Sequence, residues 1–297
     1  MAVANELAKP EEEAPGASPR SSRSKALFAH PGAIFGIIII AVQVLLAVFA
    51  PWVAPHDPNQ SFPDLVLAGP SAHFWFGTDE LGRDVLSRVI YGARVSLEIS
   101  AICVSIAATV GSLLGLLAGF YRGAVDPIIM RAMDVVLAFP EILLAIAVIA
   151  ILGPGLNNTM VAIGIALTPV YARTVRAASL QVSDSEYVRA ATVIGVPRWR
   201  ILMRHVLRNV RTPIIVISTV NVGTTILIAA GLSYVGIGAQ PPIAEWGSML
   251  STAHAYLPTD WWTAVFPGLA ITFSILAFNL LGDALRDLLD PRLRHRG

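Results

Sequence analysis

Residues 183–211, SDSEYVRAATVIGVPRWRILMRHVLRNVR, set six arginines and two acids between long apolar runs. Guanidinium groups at this density pair with carboxylates or phosphates; they do not break bonds by themselves. Catalysis would need a nucleophile with its base, or a set of metal ligands. The six histidines (30, 56, 73, 205, 254 and 295) are scattered outside the apolar runs and form no HExxH pattern. No GxxxxGK[ST] phosphate loop occurs, so the chain is not expected to hydrolyse ATP. The one cysteine, Cys103, lies in an apolar run and has no second cysteine in the chain to pair with.

The local pattern of the basic segment predicts two helices. Ser183 and Glu186 have capping-box spacing, and Tyr187, Val188, Ala191 and Ile194 then recur on one helical face. Gly195 is placed to end that helix in a left-handed turn, and Pro197 suits the first turn of a second helix through Trp199, Ile201, Leu202 and Val206. Three roles fit such a segment: a helix lying on lipid headgroups, a solvated positive loop, or a docking helix for another protein.

The elements that hold it are membrane helices. The chain is 55% hydrophobic and 14% charged, with a mean hydropathy of +0.66, where a soluble domain carries about 25% charged residues. An all-α, polytopic membrane protein with six transmembrane helices is expected, at about 33–53, 95–120, 135–152, 159–172, 214–235 and 264–281. Residues 1–30 read as a disordered tail, 54–94 as an external segment, 95–285 as the core helices and 181–212 as a loop on the side of the termini. Arg20, Arg23 and Lys25 precede the first span. Arg122, Arg131, Arg173, Arg176, the six arginines of the basic segment, Arg286, Arg292, Arg294 and Arg296 fall on the same side, which places both termini in the cytoplasm. Arg83, Arg88 and Arg94 dissent, in a loop shared with Asp79, Glu80 and Asp84.

Within the spans, Gly111, Gly115 and Gly119 make a close-packing face. Glu141 beside Pro140, and Asn221 with Thr225 one turn on, are intramembrane polar groups with either a path-lining or a structural role. Asp283 and Arg286 are spaced as a structural pair. Outside, Trp261 and Trp262 read as interfacial anchors, while Glu245 and Trp246 fit partner docking and local stabilisation equally.

The segment EYVRAATVIG with RHVLRN resembles the coupling-loop signature of permease subunits in bacterial binding-protein-dependent ABC importers: Glu-Ala-Ala, three residues, Gly, nine residues, Ile-x-Leu-Pro. Ala190, Ala191, Gly195 and Leu207 match it; Arg189, His205 and Arg208 stand where it has Glu, Ile and Pro, and Glu186 supplies an acid upstream, as in the peptide-importer branch. FGTDELGRDVLSRVIYGARVSL, QPPIAEWGSML and FNLLGDALRDLLDPRLR are similar to segments of dipeptide and oligopeptide permeases of the "C" type. The resemblance implies the type I ABC importer permease fold in the bacterial plasma membrane. It implies no cofactor on this chain, ATP and Mg on two partner ATPase subunits, a second permease of the "B" type, an external substrate-binding protein and membrane lipid, and no nucleic acid. It assigns ATPase coupling to Glu186, Tyr187, Arg189, Ala190, Ala191 and Gly195; the path candidates Asn221, Thr225 and Glu141 rest on their intramembrane polarity alone. Nickel or another metal chelate is the alternative cargo; a secondary transporter working without ATP is the alternative class.

Overall fold

The computed structural model describes residues 31–289. The tail 1–30 and Arg292, Arg294 and Arg296 lie outside the described residues. The helices are α1 (Pro31–Val53), α2 (Val85–Tyr121), α3 (Val125–Leu137), α4 (Glu141–Leu152) and α5 (Leu156–Ser183). They continue with α6 (Glu186–Val193), α7 (Arg198–Tyr234), α8 (Trp246–Ala253) and α9 (Trp262–Leu289). Among the described residues the only β features are two isolated bridges, in the segment between α1 and α2.

The chain is thus an all-helical bundle. Helices α1, α2, α7 and α9 are long and apolar enough to cross a membrane, and α3 with α4 makes a fifth candidate if the bent pair is one span. Helix α5 has the length, at 28 residues, but Asn157, Asn158, Arg173 and Arg176 dilute its ends. The expected third span is not one straight helix. Its chain breaks at Pro140 by 92°, and the 12 residues of α4 rise only ~18 Å.

Small residues decide how the long helices meet. In α1 the buried positions are Ala33, Gly36, Gln43, Ala47 and Ala50, a stripe that lies on α9. A methyl on Gly36 would sit 2.7 Å from the Ala277 carbonyl oxygen, and Gln43 Nε2 donates to Ser274 Oγ at 2.7 Å. The other face of α1, with Phe35, Ile38, Leu45 and Trp52, stays exposed. In α2 the glycine stripe lies on α5: a methyl at Gly111 or Gly119 would come within 2.5 or 2.7 Å of the Thr168 or Arg176 carbonyl oxygen, and one at Gly115 would strike that of Ala172. The stripe is therefore a helix–helix contact.

Helix α2 begins at Val85, ten residues inside the segment read as external loop. Asp84 caps it by accepting from the Ser87 backbone N–H at 3.0 Å. Its first turns pack on a buried charge knot. Asp79 Oδ2 receives Arg83 Nε at 2.7 Å and faces Arg88 Nε at 3.4 Å, and Arg83 Nη2 reaches Glu80 at 2.9 Å. So Arg83 and Arg88, the dissenters of the charge pattern, are interior structural charges already neutralised by acids.

Candidate functional site

The basic segment folds at one end of the bundle, between α5 and α7. Helix α5 runs about three turns beyond the span expected to end at residue 172 and takes Ser183 into its last turn. The predicted capping box is therefore absent. Ser185 is the N-cap of α6, its side chain makes no capping bond, and its hydroxyl donates back to the Val182 carbonyl at 2.5 Å. The C-terminus follows the prediction. Gly195 has φ +85°, its N–H donates to the Thr192 carbonyl at 3.1 Å, and the Val196 N–H donates to that of Ala191 at 3.0 Å. That pair of bonds is a Schellman closure, which satisfies carbonyls the helix end would otherwise leave open.

The apolar residues of α6 do not share one destination. Val188 is buried, whereas Tyr187 is half-exposed and its hydroxyl accepts from Asn209 Nδ2 at 3.0 Å. Val193 and Ile194, beside the Gly195 turn, are 87% and 81% exposed, with Trp199 and Met203 exposed just beyond. Glu186, Arg189 and Ala190 face solvent as well. A short, closed helix thus presents an apolar tip ringed by charge. The contributions of Val193 and Met203 were not singled out by helical periodicity, because the tip is formed by a turn and not by a helix face.

The second helix is not separate from the next span. Pro197 is its N-cap, and the chain then stays helical from Arg198 to Tyr234. A π segment over Leu202–Val206 lies within it, and the Leu207 N–H bonds back to the Leu202 carbonyl. Arg208 therefore sits inside a continuous helix; the proline in this helix is Pro213, five residues later. Leu202, Val206 and Val210 anchor it against Leu116 of α2 and Val175 of α5. Arg122–Asp184 at 2.8 Å, Arg173–Asp134 at 2.6 Å and Arg176–Asp126 at 2.5 Å tie α3, α5 and the adjoining turns together.

The path candidates are not brought together. Asn221 and Thr225 are buried on α7, with Asn221 Nδ2 and Thr225 Oγ1 lacking a partner among the described residues; Glu141 stands apart at the first turn of α4. Neither Asn221 nor Thr225 lines the cavity of about 610 Å³ at the α6 end, whose wall includes Thr174, Thr212, Asp283 and Arg286. Asp283 and Arg286 form no ion pair with each other there, contrary to expectation.

At the far end the docking role suggested for Glu245 and Trp246 gives way to an interior one, since each is only 1% exposed. Glu245 caps α8, accepting from Gly247 N–H at 2.9 Å and Ser248 N–H at 2.8 Å. Burial pushes its carboxyl up from the ordinary glutamate range, against the pull of these donors. Trp246 lies against Gly92 and donates from Nε1 to the Val89 carbonyl at 3.0 Å. Trp262, read as an interfacial anchor, is buried under Gly77 and donates to the Thr78 carbonyl at 3.1 Å; Trp261 stays half-exposed.

The described residues thus form a helical bundle with several segments apolar enough to cross a membrane, and a short closed helix stands exposed between α5 and α7. The chain belongs to the binding-protein-dependent transport system inner membrane components, whose family profile matches residues 111–295, and within them to the dipeptide and oligopeptide permease subunits of ABC transporters. The profile of the N-terminal TM domain of oligopeptide transport permease C matches residues 18–70. A di/tripeptide transport system permease protein of Pseudomonas aeruginosa is 48% identical over 90% of this chain and 91% of its own length. A dipeptide permease of Alkalihalophilus pseudofirmus is 44% identical over 96% and 94%, and a glutathione permease of Escherichia coli O157:H7 is 48% identical over 90% and 87%. Among solved structures, an inward-facing MetNI methionine ABC transporter chain superposes with TM-score 0.55 at 16% identity, over 68% of this chain and 96% of that one, a likeness of fold.

Proposed function

We propose that the chain is a permease subunit of an ATP-driven importer of di- and oligopeptides, forming half of the translocation pathway. In this reading six segments cross the membrane, with α3–α4 as a broken span and α5 as a full one, and both termini are cytoplasmic. The charge pattern supports the orientation, because the buried pairing of Arg83 and Arg88 removes two of its three exceptions. A second permease would complete the path, an external binding protein would deliver peptide, and two ATPase subunits would hydrolyse ATP with Mg. Asn221 and Thr225, with buried polar atoms lacking partners among the described residues, are suited to line the path once the second permease packs against this one. The peptide cargo rests on the names of the relatives.

The observation that carries the coupling role is the closed α6 with its exposed tip at Val193 and Ile194. A helix fixed at its C-terminus by two backbone bonds passes on a displacement that an open loop would absorb. Its apolar tip offers area to a groove in an ATPase, and Glu186 and Arg189 set the register. The test is co-purification followed by reconstitution. A tagged chain should bring down a second permease and ATPase subunits, and vesicles holding the complex should accumulate peptide only with ATP and the binding protein. Peptide uptake by this chain alone, without ATP, would point instead to a secondary transporter.

A further inference from the structure

On α7, next to the α6 turn, lies an open cavity of about 740 Å³ lined by Met203, Arg204, His205, Arg208, Asn209 and Arg211. Arg204, Arg208 and Arg211 follow one another at four and three residues, so all three guanidiniums leave the same helix face. The opposite face, Leu202, Val206 and Val210, is the one buried in the bundle. Among the described residues no acid lines the cavity, and none of the three arginines takes part in an ion pair. Two of the positions that depart from the coupling signature, His205 and Arg208, are in this wall.

We propose that this cavity binds the phosphate of an anionic phospholipid of the adjacent leaflet. Two features select that occupant. The arginines stand immediately before the apolar run of α7 that begins near Ile214, and seven residues of helix rise only ~10 Å, so flexible side chains converge on one headgroup layer. The same helix face continues one turn further as exposed Ile215, which gives the acyl chain a wall where a free anion would have none. Asn209 links the wall to α6 by donating to the Tyr187 hydroxyl, and is itself held by a bond to the His205 carbonyl one turn back at 2.6 Å. A lipid held here therefore braces the joint between α6 and α7. The site depends on the proposed function only for which leaflet supplies the lipid, since binding is read without transport.

The test is native mass spectrometry of the full-length chain, delipidated and then titrated with phosphatidylglycerol or phosphatidylcholine. One phosphatidylglycerol should be retained in preference to phosphatidylcholine. Each arginine changed to glutamine should weaken retention about fivefold, so that Arg208→Gln with Arg211→Gln costs more than tenfold. Arg198→Gln, outside the cavity, should leave retention unchanged. Should the double glutamine variant fold poorly, Arg208→Lys with Arg211→Lys keeps the charges and should retain the preference at reduced strength. Equal retention of the two lipids overturns the proposal. So does complete displacement by millimolar inorganic phosphate, which would mark a free-anion site. Insensitivity of retention to the arginine changes in the assembled complex also overturns it, and would assign the cavity to a protein partner.

Discussion

The two ends of this bundle handle charge and apolar surface in opposite ways. At the end that carries α8, acids and arginines are interior: Asp79 holds Arg83 and Arg88, and Glu245 and Trp246 lie under the helices they fix. At the α6 end the arginines point outward and the apolar residues of the turn are on the surface. A buried ion pair costs desolvation and is kept only where its geometry is closed, so the first arrangement makes a rigid cap. An exposed apolar tip contributes little to folding, and its use must lie in an interaction with something else. One end is closed on its own residues, and the other leaves apolar surface open.

The sharpest way to break this contrast is to remove one interior anchor. Asp79→Ala leaves Arg83 and Arg88 buried without their shared carboxylate, and should cost about 3–5 kcal/mol of stability. Trp246→Ala, which empties a packed site and strips the Val89 carbonyl of its donor, should cost a similar ~3–5 kcal/mol. Both should appear as loss of folded protein at normal expression, measured by thermal unfolding in detergent. The same measurement on Asp184→Ala, which breaks the exposed pair with Arg122, should register about 0–1 kcal/mol. Equal losses at the two ends would dissolve the distinction.

At the α6 end the large effect should fall on transport. Gly195 has φ +85° with nothing within 4 Å of where its Cβ would be, so a substitution there meets backbone strain and no steric clash. Gly195→Val places a β-branched side chain in a region that costs such residues ~1–2 kcal/mol, and the Schellman closure should open. Peptide uptake should drop at least tenfold while the amount of folded protein stays near normal; Gly195→Asn, tolerated at positive φ, should keep most of it. Ile194→Ser should then lower uptake severalfold with an unchanged unfolding temperature. Normal uptake by Gly195→Val at normal protein level would refute the transmitting role of the closed helix.

The parts of this contrast differ in how far the sequence alone reveals them. The Gly195 closure was legible because a left-handed turn after an apolar-periodic run leaves few residue choices. The glycine face of α2 was legible for the same kind of reason, a fixed period on one helix. The interior of the other end was not: Glu245 and Trp246 look alike whether buried or exposed, and only the approach of α8 to Gly92 decides between them. The capping box failed because Ser183 and Ser185 both precede the acid, and the continuation of α5 selected the second. Pro140 is a residue at which a helix can break, but the 92° size of the bend depends on what packs against α4.

The smallest expected effect tests whether the interior end tolerates its acid because the carboxyl is capped. Burial raises the Glu245 carboxyl above its ordinary range, so the folded chain holds that proton at a pH where the unfolded chain has lost it. Stability from this group is then complete below the unfolded value of about 4.3, and falls as pH rises from there through the raised folded value, after which it is flat. Glu245→Gln cannot lose a proton and keeps one oxygen to accept from the helix N-terminus. Its unfolding temperature should fall less than that of the native chain as pH is raised across this window, with a modest loss from the surrendered second capping bond. Parallel curves for the two proteins would mean that the Gly247 and Ser248 donors fully offset burial, and that the α8 end holds Glu245 as an ordinary ionised cap.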